Sequence, residues 1–146
     1  ALGQPAPSGL TPVLGPAVAA PPAFAENAVI GDALRLLGFD VQRAGEAVQI
    51  DLHWQPLRPL DADYTSFVQL LAPNGDKIVQ SDHQAGGVYY PTSLWKSGET
   101  LLDRHTLALP ASAPPGPYRL LVGMYRIVDG EIVPLGSAVL ATVVEP

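Results

Sequence analysis

The sequence predicts an all-β domain, an antiparallel two-sheet β-sandwich of immunoglobulin-like or jelly-roll type with about eight strands. Three observations lead there. Apolar and polar residues alternate with period two in several short runs, Gly/Pro/Asn/Asp clusters separate those runs at near-regular spacing, and no stretch shows the 3.6-residue periodicity of an amphipathic helix. A closed barrel is the weaker alternative.

Taken in order, residues 33–41 read as the first strand. Val48, Ile50, Leu52 and Trp54 then alternate with Gln49, Asp51 and His53, which puts the apolar set on one face and Trp54 in the core. Residues 64–71 (YTSFVQLL) are rich in strand formers on both faces, as a central strand requires, and Ala72-Pro73-Asn74-Gly75 turns the chain back into residues 77–82. Residues 101–109 alternate again. Pro110, Pro114, Pro115 and Pro117 forbid ladder pairing before the strand at residues 118–127, where Tyr118 is placed as a tyrosine corner and Gly123 marks a bulge or a close backbone approach. Asp129-Gly130 is a two-residue hairpin signal, followed by strands at 131–135 and 138–144.

Composition narrows the function classes. The chain has 146 residues, is 47% hydrophobic and only 15% charged, and carries 14 acidic against 8 basic residues for a net charge of -6. A length of this order supports one domain with a full core. Its few cations are scattered singly, so no concentrated basic face is available to bind nucleic acid. With no cysteine there are no disulfides, thiolate metal sites or thiol nucleophile. Residue 1 is Ala, which suggests a processed chain or a piece of a longer one. Residues 1–25 are uncharged yet include six prolines, so residues 1–26 read as a Pro/Ala-rich linker or disordered tether and residues 27–146 as the sandwich.

Residues 84–98 (QAGGVYYPTSLWKSG) break the strand rhythm. An aperiodic loop of more than roughly 12–15 residues is usually functional or packed by its own side chains. Tyr89, Tyr90 and Trp95, with Gln84 beside them, combine aromatic faces with an amide and form the candidate ligand site, of the kind that stacks on a sugar ring. For Trp95, packing over the sandwich edge is preferred to ligand stacking. Glu99 and Asp103 are expected to bond backbone N–H groups of this loop.

Catalytic and metal chemistry finds less support. His53, His83 and His105 show no zinc-ligand spacing, although Asp103 and His105 share a strand face and would meet Asp82 and His83 if their strands were neighbours. Ser81, His83 and Asp103 have the residue types of a triad without a nucleophile elbow. Asp61 and Asp63 flank a turn and read as solvated caps, Asn74 and Asp76 lack the company a calcium site needs, and Gly86-Gly87 is a turn rather than a phosphate loop. No catalytic residue, metal site or cofactor is assigned.

Several ordered runs resemble one known domain type. They are LRLLGFDV from Leu34, DLHW from Asp51, YTSFVQLLAPNGDKIVQSD from Tyr64 with Phe67, Leu70 and Gly75, YPTSLWKSGE from Tyr90, and PPGPYRLLVGMY from Pro114. Together they cover most of the body and resemble the C-terminal extracytoplasmic β-sandwich of bacterial multi-pass membrane glycosyltransferases related to dolichyl-phosphate-mannose protein mannosyltransferases. Gln69 departs from the histidine expected there. The resemblance implies a non-catalytic accessory module on the extracytoplasmic side, joined to a parent membrane glycosyltransferase through a tether and contacting glycan or acceptor. Transfer chemistry would belong to the parent. The alternative is a structural or protein-interaction domain with no ligand of its own.

Overall fold

The structure, a computed structural model, describes residues 21–140. Eight strands form: β1 (Phe24–Ile30), β2 (Leu34–Ala44), β3 (Ala47–Pro56), β4 (Thr65–Leu71), β5 (Lys77–Gln84), β6 (Leu101–Ala108), β7 (Arg119–Val128) and β8 (Glu131–Val139). A single 3-10 turn at Thr92–Leu94 is the only helical element among the described residues. All pairings are antiparallel, in two four-stranded sheets ordered β1-β2-β3-β6 and β5-β4-β7-β8.

This order decides between the two sandwich types. β2, β3 and β6 occupy the places of immunoglobulin strands A, B and E, while β5, β4, β7 and β8 take those of C′, C, F and G, with β1 added outside β2. Tyr118, which opens the F-equivalent strand, is buried and donates its hydroxyl to the Pro114 carbonyl at 2.7 Å, so the tyrosine corner is present.

The period-two patterns map onto the two inner faces. Val48, Ile50, Leu52 and Trp54 of β3, Val68 and Leu70 of β4, and Leu120, Val122 and Met124 of β7 are all fully buried in one core. On the outer face of β3, Asp51 receives a bidentate pair from Arg104, and His53 meets Asp40 at 2.7 Å. β4 is central, as expected, yet its faces differ: Ser66, Val68 and Leu70 point into the core, while Phe67, Gln69 and Leu71 are half-buried on the outer face. Asp129 and Gly130 both have positive φ, as a type I′ hairpin demands.

Gly123 explains a local irregularity. A Cβ there would meet the Phe67 ring at 2.9 Å and the Gly136 carbonyl, and the β7–β8 register shifts between Met124 and Tyr125. Backbone approach and bulge both occur at this site.

Two boundaries differ from the sequence reading. β1 begins at Phe24, inside the segment read as tether, and β8 runs unbroken through Gly136 and Ser137, where a gap between two strands was expected. β1 is an edge strand that buries little besides Ile30, so it carries a weak hydrophobic signal and is held by its ladder with β2 and the Phe24–Phe39 stack. In β8 the extra residue of the bulge carries the chain past Pro134, which an edge strand tolerates. Residues 1–20 of the linker reading and 141–144 of the last expected strand lie outside the described residues.

Register also fixes the two ends of the sandwich. The β1–β2, β3–β4, β5–β6 and β7–β8 connections gather at one end; the β2–β3, β4–β5 and β6–β7 connections, with residue 21 and Leu140, lie at the other.

Candidate functional site

Residues 84–98 connect β5 to β6 across the open seam between the sheets, and their own hydrogen bonds hold them shut. Ala85 N–H donates to the Tyr64 carbonyl, and the buried Thr92 hydroxyl accepts from Tyr64 N–H at 2.9 Å while donating to the Ala62 carbonyl at 2.6 Å. Ser93 donates to Asp63, and Gly98 N–H reaches the Pro56 carbonyl at 2.8 Å. Asp63, read from sequence as a solvated cap, is instead a clasp on the distant loop residue Ser93. Glu99 accepts from Lys96 N–H at 2.8 Å and from the Tyr90 hydroxyl.

The four candidate ligand residues have different fates. Trp95 is 2% exposed, and its indole N–H donates to the Tyr90 carbonyl at 2.8 Å, so it has no free face for a ligand. Gly86, at φ +79°, makes this possible, because any Cβ there would collide with the Tyr90 carbonyl and crowd the Trp95 indole nitrogen. Tyr90 is half-buried; burial, the hydrogen bond to Glu99 and that carboxylate's charge push its phenol up to about 12. Gln84 is exposed at the end of β5. Tyr89 is 87% exposed, and Val88 beside it 76%, so the aromatic segment reduces to one projecting tip.

A second constellation lies where β5 and β6 face each other, the edge strands of opposite sheets. Leu101, Asp103, His105 and Leu107 point inward from β6, placing two ionisable groups in apolar phase. Asp103 is fully buried and collects four neighbours. Its Oδ2 accepts from the Trp54 indole N–H at 3.1 Å and the Ser66 hydroxyl at 2.5 Å, its Oδ1 meets His83 Nε2 at 2.6 Å, and His105 Nε2 lies 3.4 Å from Oδ2. His105 Nε2 also contacts Ser66 Oγ, and its Nδ1 contacts Ser81 Oγ, each at 2.8 Å. The His83 and His105 rings stack with centroids 3.9 Å apart.

Ser66 gives its proton to Asp103 and accepts from His105 Nε2–H, while His105 Nδ1 and the Ser81 hydroxyl share a further hydrogen bond. Burial raises the Asp103 carboxyl, but hydrogen bonds and charge from His105 and His83 outweigh it and hold the group well below the usual carboxylate range. For His83, burial acts against the charged form, while the hydrogen bond and charge of Asp103, aided by Asp82, prevail and raise the imidazole. The result is a buried carboxylate hydrogen-bonded to an edge-strand histidine whose side chain is 37% exposed and whose charged form it favours.

From sequence, Asp103 and His105 share a strand face and would meet His83 only if their strands were neighbours; the structure makes them so. Sequence reasoning expected Asp103 to bond loop N–H groups; the carboxylate instead turns inward to Trp54, Ser66 and His83, because residue 103 falls on the buried phase of β6. Asp82 stays outside and pairs with the Tyr125 hydroxyl. The triad grouping does not form, since Ser81 bonds His105 rather than His83. Ser66 and Trp54 were missed as members. The available signal was a lone hydroxyl on the core phase of a central strand, opposite a strand carrying Asp and His in the same phase.

No protein-family model matches the chain, and no curated protein matches it either.

Proposed function

We propose that this chain is a non-catalytic extracytoplasmic accessory module of a membrane glycosyltransferase, and that it contacts glycan or acceptor with its loop end. The reading rests on the resemblance in the ordered runs from Leu34 to Tyr125 and on one observation, the placement of exposed apolar surface. Val88, Tyr89, Leu94, Leu57, Ile127, Val128, Ile132, Val133 and Val29 are all exposed at the end opposite the described chain ends; of the exposed large apolar side chains among the described residues, only Phe24 and Val139 lie elsewhere. A module tethered at one end and adhesive at the other suits a contact role. In the β5–β6 seam, Ser66 and His105 are closed to an organic substrate by burial.

A second reading, a protein-interaction domain without a ligand of its own, is favoured by the β7–β8 hairpin. It extends past the start of β4 and carries Ile127 directly opposite Ile132, both more than half exposed. One titration separates the two. The chain is titrated with mannose- and glucose-containing oligosaccharides under NMR detection, with Tyr89→Ala as the control. Saturable shifts around Tyr89 and Gln84 that vanish in Tyr89→Ala support the glycan reading, and a flat response across the panel favours the protein-contact reading.

A further inference from the structure

We propose that His83, Asp103 and His105 form a binding site for one divalent transition-metal ion, zinc in particular, at the seam between the two sheets. Their ligand atoms all lie within 4.8 Å of one another. Two imidazoles and one carboxylate are a donor set suited to zinc or another borderline transition metal and poorly suited to calcium or magnesium, which take oxygen. With bonds of about 2.0–2.2 Å, the donors of a tetrahedral zinc site lie roughly 3.3–3.6 Å apart. The observed 2.6 Å from His83 Nε2 to Asp103 Oδ1 is a hydrogen bond shorter than that spacing, so the ion opens this bond as it enters.

Surrounding groups already act as supports for such ligands. Metal-binding histidines usually donate their other N–H to an oxygen, and ligating carboxylates are themselves hydrogen-bonded. Ser81 Oγ stands 2.8 Å from His105 Nδ1, and Trp54 and Ser66 hold Asp103 Oδ2, leaving Oδ1 directed at His83. A hydroxyl can accept as well as donate. With the His105 proton on Nδ1 and donated to Ser81, Nε2 carries the lone pair and reaches an ion that displaces its contact with Ser66 Oγ, now 2.8 Å away. The partial exposure of His83 gives ion and water an entry path. Ligating imidazoles bind through an unprotonated nitrogen, so loading the ion releases protons to solvent.

The test uses the untagged 146-residue chain, stripped with chelator and titrated with Co²⁺ as a spectroscopic stand-in. Expected are visible ligand-field bands that saturate at one equivalent, bleach on adding Zn²⁺, and are accompanied by proton release near neutral pH. Paramagnetic NMR shifts on the wild-type chain should centre on Ser66, Ser81 and Asp103. Ser81→Ala should weaken binding roughly 10-fold, the size of effect seen when an outer partner of a ligand is removed. His83→Gln, on the exposed edge, should keep the far-ultraviolet spectrum and lose the bands, whereas Asp103→Asn is a poor control because it also removes core hydrogen bonds. Absence of saturable bands in the wild-type chain overturns the proposal. So do bands indifferent to His83→Gln, or paramagnetic shifts centred away from the β5–β6 seam.

Discussion

At the scale of single residues, the contrast between Tyr89 and Trp95 carries the most information. They are six positions apart in one loop, yet one projects into solvent and the other is packed into the core with its only polar atom satisfied. Trp95→Ala should therefore lower stability by about 3–5 kcal/mol, the cost of emptying a large aromatic site. Tyr89→Ala should stay within about 0.5 kcal/mol, as exposed substitutions do. Urea denaturation of both variants checks this, and equal midpoints for the two would refute the assigned packing. Tyrosine titration gives a second test. The Asp82 hydrogen bond, with burial and the Asp82 charge, pushes the Tyr125 phenol up to about 12, as burial and Glu99 do for Tyr90. Both native pKa values lie above the unfolded value of about 10, so their stabilising contribution is complete below pH ~10 and is lost as pH rises toward 12. An ultraviolet titration should show late-ionising phenols, one fewer in Tyr125→Phe; unchanged curves for that variant would remove the Asp82 bond from the account.

Elements explain why the loop and the polar cluster sit where they do. Phe67 and Tyr125 pack on the outer face of the β5-β4-β7-β8 sheet with ring centroids 6.0 Å apart, and Phe67 can lie flat only because residue 123 has no side chain. Gly123→Ala should cost about 1–3 kcal/mol through overpacking against the Phe67 ring and the Gly136 carbonyl. A denaturant midpoint equal to that of the parent would show that the bulge between Met124 and Tyr125 absorbs the methyl group instead. This strand also shows what a sequence discloses. Gly123 in a strand pattern announced a close approach, but its partners belong to β4 and β8, and no local pattern names them. β1 was hidden for the converse reason, because a half-exposed edge strand of small and polar residues is stabilised by backbone pairing that composition does not record.

For the whole molecule, the decisive feature is how two sheets close on each other. Asp103 and His105 come from one sheet, and Ser66, Ser81 and His83 from the other, so the polar cluster is a cross-sheet clasp buried in an otherwise apolar core. The same closure sends Leu57, Tyr89 and Leu94 of the connections, and Ile132 at the start of β8, to one end and the described chain ends to the other. The loop's lack of periodicity singled out the segment that holds the candidate ligand residues, while its internal hydrogen bonds determined that Trp95 closes the edge and Tyr89 is presented.

Alternation, proline and glycine punctuation and the Asp129-Gly130 turn were sufficient to establish an antiparallel sandwich, the place of Trp54 in its core and the tyrosine corner at Tyr118, because period-two burial and turn geometry are local consequences of residue type. Which strands are neighbours is not local. Only the tertiary structure brought β5 against β6, chose the immunoglobulin order and turned Asp103 from a loop anchor into the centre of a His-Asp-His cluster, since pairing across a seam depends on chain segments far apart in sequence.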